Sequence, residues 1–486
     1  MAVYTYESFS VFRFREEKQC RGIYTRQVLL LFFVHFTCFL TICIETGELQ
    51  YLFFYAFQQL AVFAVIVLYE LIYPSANRLL IHNMCMLLVT GFVMLTRLDM
   101  NLAVRQFVIV LVSVAVALCV PWLLGKFREI KNLSVFYALL GVLPLGMVLI
   151  LGSTTYGSKL SYSIFGLSFQ PSEFIKITFI FFIASALYRS TNLLQVAYVT
   201  VVAGIHVLIL AASRDLGSAL IFFVVYVLMV FLATKNFLYL FLGAAGGGCA
   251  SVIAARLFRH VQVRVQAWKD PWSVIDGEGY QVAQSLFSLG RGGLFGLGLF
   301  QGAPEDIPKV ERDFIFSAMA EEMGLIVALC VIMVSLSCFV MFMNISMRMR
   351  DRFYQLIAFG VGVLYIFQVF LTIGGDTKFI PMTGVTLPLV SYGGSSVMTT
   401  LLMFSIVEGL YIIRQDEGAA HVGKRKKSAG ERQESGKRRK SGERRGIEEE
   451  QKSEERQRST KEQKSGEKAA VSAESGEKAG KEKETS

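Results

Sequence analysis

Long apolar segments recur along this chain, and they restrict its possible folds more than any other feature. About twelve of them reach the roughly 18–25 residues that a helix needs to cross a bilayer. Only 18% of the residues are charged, whereas soluble proteins carry about a quarter. The predicted fold is therefore all-α, a polytopic bundle of about twelve transmembrane helices. The predicted spans lie near residues 27–46, 51–74, 79–96, 103–124, 133–152, 174–190, 194–212, 217–234, 237–255, 314–343, 353–375 and 383–412.

Basic residues gather in segments that fall on one side of the membrane if the predicted spans alternate. These segments are residues 13–26, 126–131 and 348–352, together with the charged C-terminal tail. The acidic stretch around Glu45 and Glu48 falls on the other side. Because Lys and Arg accumulate on the cytoplasmic side of membrane proteins, we expect both termini to be cytoplasmic. The same rule accounts for the net charge of +10 without a nucleic-acid partner.

Composition divides the chain into three parts. Residues 1–26 form a cytoplasmic N-terminal segment without a cleavable signal pattern, and residues 27–412 form the transmembrane domain, which includes a large outer loop at 256–312. Residues 413–486 form a tail rich in charge, with recurring Ser-Gly-Glu and Ser-Gly-Lys units. Such a tail cannot bury a core, so it is predicted to be disordered. Its basic cluster at 424–427 either contacts anionic membrane lipids or is simply solvated.

Two motifs with charged residues stand at predicted helix starts. Residues 169–177 read FQPSEFIKI, in which Glu173 and Lys176 share one helix face at i, i+3. The two charges either only stabilise the helix start or mark a site, since charges near a membrane segment are costly. Residues 213–219 read SRDLGSA, in which Asp215 either caps the next helix or belongs to a site.

The large outer loop combines glycines with cations. Residues 279–302 read GYQVAQSLFSLGRGGLFGLGLFQG, which is not a dinucleotide fingerprint because no strand precedes it. Arg264, Lys309 and Arg312 are suited to face an anionic ligand. Asp313 lies among them at the start of a predicted span, where a carboxylate can cap the helix or act as a general base. The residues alone favour the cap.

A fourth motif interrupts the last predicted span. Residues 374–396 read GGDTKFIPMTGVTLPLVSYGGSS, and Pro381, Gly384 and Pro388 break the apolar run. Broken helices are tolerated inside membranes where they line a cavity. Lys378 adds a cation at the outer mouth. The segment is therefore either the wall of a ligand cavity or a kinked helix without a ligand.

These four motifs, in this order, resemble the SEDS family, the FtsW/RodA/SpoVE group of bacterial cell-wall glycosyltransferases. The resemblance covers roughly residues 130–412, through FQPSE with a following Lys, the DFIFxxxAEExG element and PxTGxxLPLxSYGGSS. It implies a peptidoglycan glycosyltransferase that polymerises lipid II into glycan strands. The reaction is expected at the outer face of the bacterial cytoplasmic membrane, for cell division, elongation or sporulation.

The resemblance also implies roles for individual residues. The family's catalytic Asp corresponds to Asp313, which favours the base over the cap. In the family this base is thought to act on the 4-hydroxyl of the acceptor sugar, which attacks C1 of the donor and expels undecaprenyl pyrophosphate. Neighbouring cations are expected to keep Asp313 ionised and to take up charge on the leaving group. The predicted substrate-binding residues are Glu173, Lys176, Arg264, Lys309, Arg312, Glu321, Glu322, Lys378 and Ser395.

Three features depart from the family pattern. Glu311 and Arg312 stand where His-Thr is usual, and Arg214 stands where Pro is usual. About five spans are predicted before FQPSE where three are common, which suggests two additional N-terminal helices. An added pair keeps the orientation of the motif-bearing part, so the large loop stays outside.

The resemblance further implies a class B penicillin-binding protein as partner and links the family to a divalent cation, Mg²⁺ or Mn²⁺. No organic cofactor is expected, and the sequence contains no dedicated metal cage. The eight Cys residues are scattered, so they are predicted to be buried hydrophobes. Two alternatives are a transporter (flippase) of a lipid-linked precursor, which predicts charges along a full path, and a non-catalytic scaffold, which does not need Asp313 among cations.

Overall fold

A computed structural model describes most of the chain. The described residues are 1–14, 17–127, 129–151, 153–155, 158–164, 167–277 and 279–480. They fall into two units, Met1–Gln415 and Asp416–Ser486. The helices are α1 (Ala2–Ser10), α2 (Glu17–Thr46), α3 (Leu49–Ile72), α4 (Arg78–Leu98), α5 (Met100–Lys126), α6 (Ser134–Leu151), α7 (Pro171–Leu187), α8 (Leu193–Ala212), α9 (Leu216–Thr234), α10 (Phe237–Leu257), α11 (Arg259–Lys269), α12 (Tyr280–Gly292), α13 (Ile315–Arg348), α14 (Arg352–Asp376) and α15 (Gly394–Gly480).

The apolar helices confirm a multi-pass membrane protein. Among the described residues, ten helices are long and apolar enough to cross a membrane. They are α2, α3, α4, α5, α8, α9, α10, α13, α14 and the first part of α15, Gly394–Asp416. The two other predicted spans correspond to α6, whose apolar part is shorter, and to α7, which has 17 residues. Each predicted span thus overlaps a helix, and the helical membrane bundle is confirmed.

The last predicted span begins later than the apolar run suggests. A span was expected near 383–412, but helix α15 starts only at Gly394. The preceding backbone is irregular, with positive φ at Gly384 and Leu389. Proline cannot donate a helical hydrogen bond, and a positive φ ends a right-handed helix. The segment 377–393 therefore enters the bundle without forming a helix.

The core of the bundle surrounds α4 and α14. Helix α4 is buried along its whole length, with α2, α5 and α13 packed around it. Helix α13 also packs along α14, and α14 in turn packs against α7 and α9. By contrast, α10 has no buried residue and contacts α9 at the edge. The motif-bearing helices α7, α9, α13 and α14 thus pack against one another in the interior.

The N-terminal segment is part of the bundle. Helix α1 packs against α2 and α13, with Tyr4 and Ser8 fully buried. Tyr4 Oη and Ser8 Oγ both donate to Asn83 Oδ1 in α4, at 3.1 and 3.0 Å. Sequence composition treats residues 1–26 as a separate polar segment. The structure differs because its polar side chains find buried partners in the bundle.

A small antiparallel sheet adds to the helices between α6 and α7. Its strands are β1 (Ser153–Thr155), β2 (Ser158–Ile164) and β3 (Leu167–Phe169), in the order β1-β2-β3. The strands pair through Thr155 with Ser158 and through Ile164 with Leu167. The last strand leads through Gln170 directly into α7 at Pro171, so the sheet joins the first residue of that helix.

The tail is helical in its backbone up to Gly480. Residues 444–466 are exposed throughout, so this part buries no core, as its composition predicts. Lys, Arg, Glu and Gln have high intrinsic helix propensity, which accounts for a helical backbone where a disordered one was expected. Disorder of residues 413–486 stays a prediction.

Candidate active site

The FQPSE motif forms a buried ion pair at the start of α7. Pro171 occupies the first turn, where a missing N–H costs no hydrogen bond. Lys176 Nζ lies 2.7 Å from Glu173 Oε1, and both side chains are buried. The same ammonium donates to Gln368 Oε1 at 3.2 Å, and Gln368 Nε2 donates to the carbonyl of Thr386 at 3.1 Å. The pair therefore connects α7, α14 and the irregular segment 377–393.

Asp215 is a helix cap that also binds α7. Its Oδ1 accepts from the backbone N–H of Ser218 at 3.1 Å, which caps α9. Its Oδ2 accepts from Ser172 Oγ at 3.2 Å and from Gln170 Nε2 at 3.4 Å. The backbone N–H of Gln170 in turn donates to Ser395 Oγ at 3.1 Å. Ser395, predicted to bind substrate, thus joins the start of α15 to the start of α7.

Asp313 lies two residues before the first residue of α13. The N-cap residue of α13 is Phe314, which offers no side-chain cap. The backbone N–H of Asp313 donates weakly to the carbonyl of Lys309 at 3.4 Å. The sequence-based preference for a cap at Asp313 therefore finds no support in the N-cap geometry of α13.

Arg264 and Asp313 approach the same point of the irregular segment. A Cβ built on Gly384 would lie 3.9 Å from Arg264 Nη2 and 3.9 Å from Asp313 Oδ2. Gly384 has φ +74°, a conformation that other residues adopt only with strain. Arg264 Nη1 donates to the carbonyl of Thr383 at 3.1 Å. The glycine thus leaves space beside the carboxylate and the guanidinium.

Three further contacts fix the loop that carries these cations. Trp268 Nε1 of α11 donates to the carbonyl of Lys378 at 3.1 Å. The backbone N–H of Tyr392 donates to the carbonyl of Glu311 at 2.8 Å, and the guanidinium of Arg312 lies 5.6 Å from the Tyr392 ring centre. The region between α10 and α13 is therefore attached at both ends to segment 377–393.

The electrostatics of Asp313 reflect two opposing causes. Burial raises the pKa of its carboxyl above the ordinary value, and this is the largest effect. Arg312, Lys309 and Arg264 lower the pKa, whereas Glu311 raises it. The cations act in the expected direction, and desolvation outweighs them in the net shift of this pKa. A raised pKa brings the carboxylate closer to the operating pH, where the pKa of an effective general base lies.

Glu321 and Glu322 lie in α13, beneath the glycine-rich segment. Glu321 Oε1 accepts from the backbone N–H of Ala303 at 3.2 Å and lies 3.4 Å from Arg291 Nη1. Glu322 Oε1 lies 2.8 Å from Arg97 Nη2, and both carboxylates are fully buried. Their contacts hold the region between α10 and α13 on the bundle.

The glycines of this region permit close backbone packing. A Cβ on Gly292 would lie 2.0 Å from the carbonyl oxygen of Ala320, and one on Gly296 would lie 2.3 Å from that of Glu322. Gly324 interrupts α13 with φ +88°. In place of the lost helical bonds, the carbonyls of residues 321 and 322 accept from backbone N–H groups of residues 297 and 298, each at 2.9 Å. The glycine run is therefore a packing surface on α13.

Comparisons with known proteins decide the family. Residues 77–415 match the family model of the cell cycle proteins FtsW, RodA and SpoVE. This chain belongs to that family. It is 31% identical over 363 residues to peptidoglycan glycosyltransferase RodA of Mycobacterium tuberculosis strain H37Rv, covering 69% of this chain and 77% of that protein. It is 34% identical over 278 residues to the probable peptidoglycan glycosyltransferase FtsW of Escherichia coli O6:H1, covering 54% of this chain and 66% of that protein.

Solved structures share the fold of the FtsW/RodA/SpoVE family with this chain. One is a chain of a peptidoglycan synthase complex that coordinates polymerisation and crosslinking, with a TM-score of 0.60, 24% identity, and coverage of 70% of this chain and 98% of that one. Another is the rod shape determining protein RodA of Thermus thermophilus, with a TM-score of 0.51 and 23% identity. The match covers 71% of this chain and 98% of that one. The shared fold therefore covers nearly all of both solved chains.

The predicted site residues of this family member fall into three groups. Asp313 lies with Arg264, Lys309 and Arg312, all half-buried, at the end of the bundle where α13 begins. Lys378 lies in segment 377–393, next to this group, and its backbone carbonyl accepts from Trp268 Nε1. The other predicted residues are inner supports: Glu173, Lys176 and Ser395 at the start of α7, and Glu321 and Glu322 beneath the glycines.

A dedicated metal centre does not fit the described residues. They contain no group of three or more His, Cys, Asp or Glu side chains that could hold a metal ion. The carboxylate best placed to bind a cation, Asp313, has three cationic side chains acting on it, and these compete with a metal. A divalent cation therefore stays a prediction.

Sequence reasoning missed several residues of the site. Arg97 pairs with Glu322 from α4, although it lies more than two hundred residues away in sequence, outside every motif. The charge of Arg214 acts on His260, which links the SRDLGSA motif to α11. Asp376 ends α14, fully buried and close enough to interact with Asp313. Asp376 and Arg214 carried a signal, since they lie within the fourth and second motifs, whereas Arg97 carried none.

Proposed function

We propose that this protein is a peptidoglycan glycosyltransferase that polymerises lipid II with Asp313 as general base. The observation that carries the proposal is the position of that carboxylate. It is half-buried, its pKa is raised, and it shares with Arg264 the space that Gly384 leaves open. A base of this kind must reach the hydroxyl whose proton it removes, and the space beside Gly384, which the carboxylate shares with a guanidinium, permits that.

In the proposed reaction, the 4-hydroxyl of the acceptor sugar attacks C1 of the donor sugar. Asp313 takes the hydroxyl proton as the new C–O bond forms. The bond between C1 and the pyrophosphate oxygen breaks, and its electron pair leaves with undecaprenyl pyrophosphate, so C1 is inverted. Negative charge builds up on the leaving group, which guanidinium and ammonium groups stabilise. Arg264, Lys309, Arg312 and Lys378 are the cations proposed for that role.

The remaining predicted substrate-binding residues act through position in this proposal. Glu173, Lys176 and Ser395 hold the start of α7 against segment 377–393 and α15. Glu321 and Glu322 hold the glycine-rich segment on α13. These contacts fix the position of the site residues. Such rigidity matters because small displacements of a reacting group lower the rate by large factors.

The orientation of the site follows from the basic residues at the opposite end of the bundle. The junction between α13 and α14 contains Arg348, Arg350 and Arg352, while Lys126 ends α5 and Lys131 follows it. The positive-inside rule assigns this end to the cytoplasm. Asp313 then faces the outer side of the bacterial cytoplasmic membrane, and both termini are cytoplasmic. A class B penicillin-binding protein is the proposed partner, supported by the shared fold with a chain of a polymerising and crosslinking complex.

The test is glycan synthesis from fluorescently labelled lipid II by the purified full chain, with and without its partner. We expect Asp313→Asn to reduce the rate by about 10²–10⁴-fold, the usual contribution of general base catalysis. The matched control is Asp306→Asn, the same chemical change at an exposed carboxylate of the same loop, which should keep the wild-type rate. Equal rates for Asp313→Asn and wild type would refute the assignment of the base. Failure of the folded wild-type protein to make glycan would refute the proposed reaction and favour a flippase or scaffold.

A further inference from the structure

The glycine-rich segment contains an exposed apolar tip, residues 293–297, which the proposed mechanism does not use. Leu294, Phe295 and Leu297 are 59%, 83% and 45% exposed, and Phe295 is the most exposed large apolar side chain of the residues that the structure describes. Single exposed apolar residues are common on proteins, whereas several in one turn indicate an interaction surface. The position of the apolar tip along α13 indicates what this surface contacts.

Backbone hydrogen bonds hold the apolar tip on α13. The N–H of Leu325 donates to the carbonyl of Gly293 at 3.0 Å, and the N–H of Ile326 donates to the carbonyl of Leu294 at 3.2 Å. Because both partners of each bond are backbone atoms, the fold itself fixes the height of the apolar tip. It lies at the level of residues 325 and 326.

The sequence of α13 shows where this level lies in the bilayer. Glu322 is the last charged residue before Gly324, where a φ of +88° interrupts the helix. Residues 325–343 then contain no charged or amide side chain, and Asn344 follows. About 20 residues of helix cross the hydrocarbon core of a bilayer. This stretch therefore fills the core when its first residue, Leu325, stands at the hydrocarbon boundary, and the apolar tip then lies at that boundary.

The apolar tip also continues a surface that faces lipid. Leu325, Ile326 and Leu329 are 39%, 38% and 49% exposed on a helix that is apolar enough to cross a membrane. Arg291, at the end of α12, places a partly exposed cation just before the tip, 3.4 Å from Glu321. Apolar side chains next to a cation are typical of segments that lie in a membrane interface. Lipid that covers α13 at this level therefore also meets the apolar tip.

We propose that the apolar tip inserts into the lipid bilayer, with Leu294, Phe295 and Leu297 among the acyl chains of the nearer leaflet. In the proposed orientation this is the outer leaflet. Insertion removes three apolar side chains from water, which is favourable. The carboxylate of Asp313 is then held above the hydrocarbon boundary, at a height that the first part of α13, residues 315–323, determines. This inference concerns the membrane and does not depend on the proposed reaction.

The test places a tryptophan in the apolar tip and measures its contact with lipid. Phe295→Trp keeps an aromatic side chain at an exposed position, so the fold should be retained. The full chain is reconstituted into phosphatidylcholine vesicles with or without brominated acyl chains, and the emission of the wild-type protein, from its three Trp residues, is subtracted. We expect bromination to reduce the added emission by about half or more, since interfacial side chains reach about 5–10 Å into the boundary.

The matched control is Asp276→Trp, at an exposed position before α12, at the opposite end of that helix from the apolar tip. Its added emission should be the same in both lipids. Two outcomes for Phe295→Trp would overturn the proposal. Emission typical of water without quenching by bromine would place the tip in solvent. Emission at shorter wavelength without quenching would show that protein, such as a second copy of this chain, covers the tip.

A second measurement needs no substitution. Wild-type protein is reconstituted with a phosphatidylcholine that bears a photoreactive diazirine on an acyl chain, and the labelled peptides are identified by mass spectrometry. We expect label on residues 293–297 as well as on the exposed face of α13, and none on residues 271–277. Label on α13 without label on the apolar tip would refute insertion.

Discussion

The buried pair of Glu173 and Lys176 offers a sharp test of how the site is held together. Lys176 is 1% exposed and Glu173 is 7% exposed, and 2.7 Å separates Nζ from Oε1. Coulomb's law with an effective dielectric constant of about 20 gives an attraction of about 6 kcal/mol at that distance. Desolvation of both ions offsets much of this attraction, so the net contribution of the intact pair is small.

Removal of one partner destabilises the fold, because it leaves the other charge buried and unpaired. Glu173→Gln leaves a buried ammonium with only neutral acceptors, Gln368 Oε1 among them. We expect it to lower the free energy of unfolding by about 3–5 kcal/mol, the usual cost of breaking a buried pair. The double variant Glu173→Gln/Lys176→Met should be less destabilised than Glu173→Gln alone by at least about 2 kcal/mol, since no buried charge is left unpaired.

The assay is reversible unfolding of the purified protein in mixed detergent micelles, with the fraction folded followed by intrinsic fluorescence. The control is Glu70→Gln, which removes one partner of the Glu70–Arg78 pair, where the side chains are 41% and 31% exposed. Partly exposed pairs contribute about 0–1 kcal/mol. A loss below about 1 kcal/mol in Glu173→Gln, or a double variant as unstable as the sum of the single ones, would refute the reasoning.

Four further outcomes are expected. Arg97→Met leaves the buried Glu322 carboxylate without its ion pair and should cost about 3–5 kcal/mol in the same unfolding assay; a loss under about 1 kcal/mol would contradict this. Gly384→Ala adds a Cβ at φ +74°, which costs about 1–2 kcal/mol, and occupies the space beside Asp313 and Arg264 at contact distance, so we expect a raised KM for lipid II; an unchanged KM would count against substrate binding in that space. Because burial raises the pKa of Asp313, initial rates should rise with pH through a midpoint above the ordinary Asp pKa, since the protonated acid below it cannot accept a proton; a midpoint at or below about 3.9 would contradict this. Removal of residues 417–486 should leave polymerisation intact, and loss of activity in the folded truncated protein would show that the tail is needed.

Local properties of the sequence predict the membrane helices well. A span requires only enough apolar residues in a row, and each predicted span overlaps a helix. The end of the bundle at which the motifs meet could also be predicted, because alternation of the spans brings the start of α7 and the start of α13 to the same side. The start of α15 was misplaced because hydropathy does not register a positive φ or a proline.

Contacts between distant helices could not be predicted from spacing. The sequence favoured a cap at Asp313 because it precedes a helix, but the N-cap of α13 is Phe314 without a side-chain cap, and the first turn of α13 is held by Ser317 Oγ, 2.7 Å from Ser285 Oγ of α12. Likewise, Glu322 has its partner Arg97 on α4, a helix without any recognised motif. Motif spacing reports which side chains share a helix face, whereas these pairs depend on which helices become neighbours. Bundle packing decides that.

The irregular segment 377–393 connects the fold to its chemistry. Non-helical backbone inside a membrane protein persists only where protein or an aqueous cavity satisfies its polar groups. Here donors from two helices bind carbonyl oxygens of the segment, namely Arg264 and Trp268 of α11 and Gln368 of α14. These bonds hold the segment in a non-helical conformation. Gly384 can therefore adopt a positive φ, which a right-handed helix does not allow. The space beside Gly384, into which Asp313 faces, therefore exists because side chains replace the helical hydrogen bonds that the segment lacks.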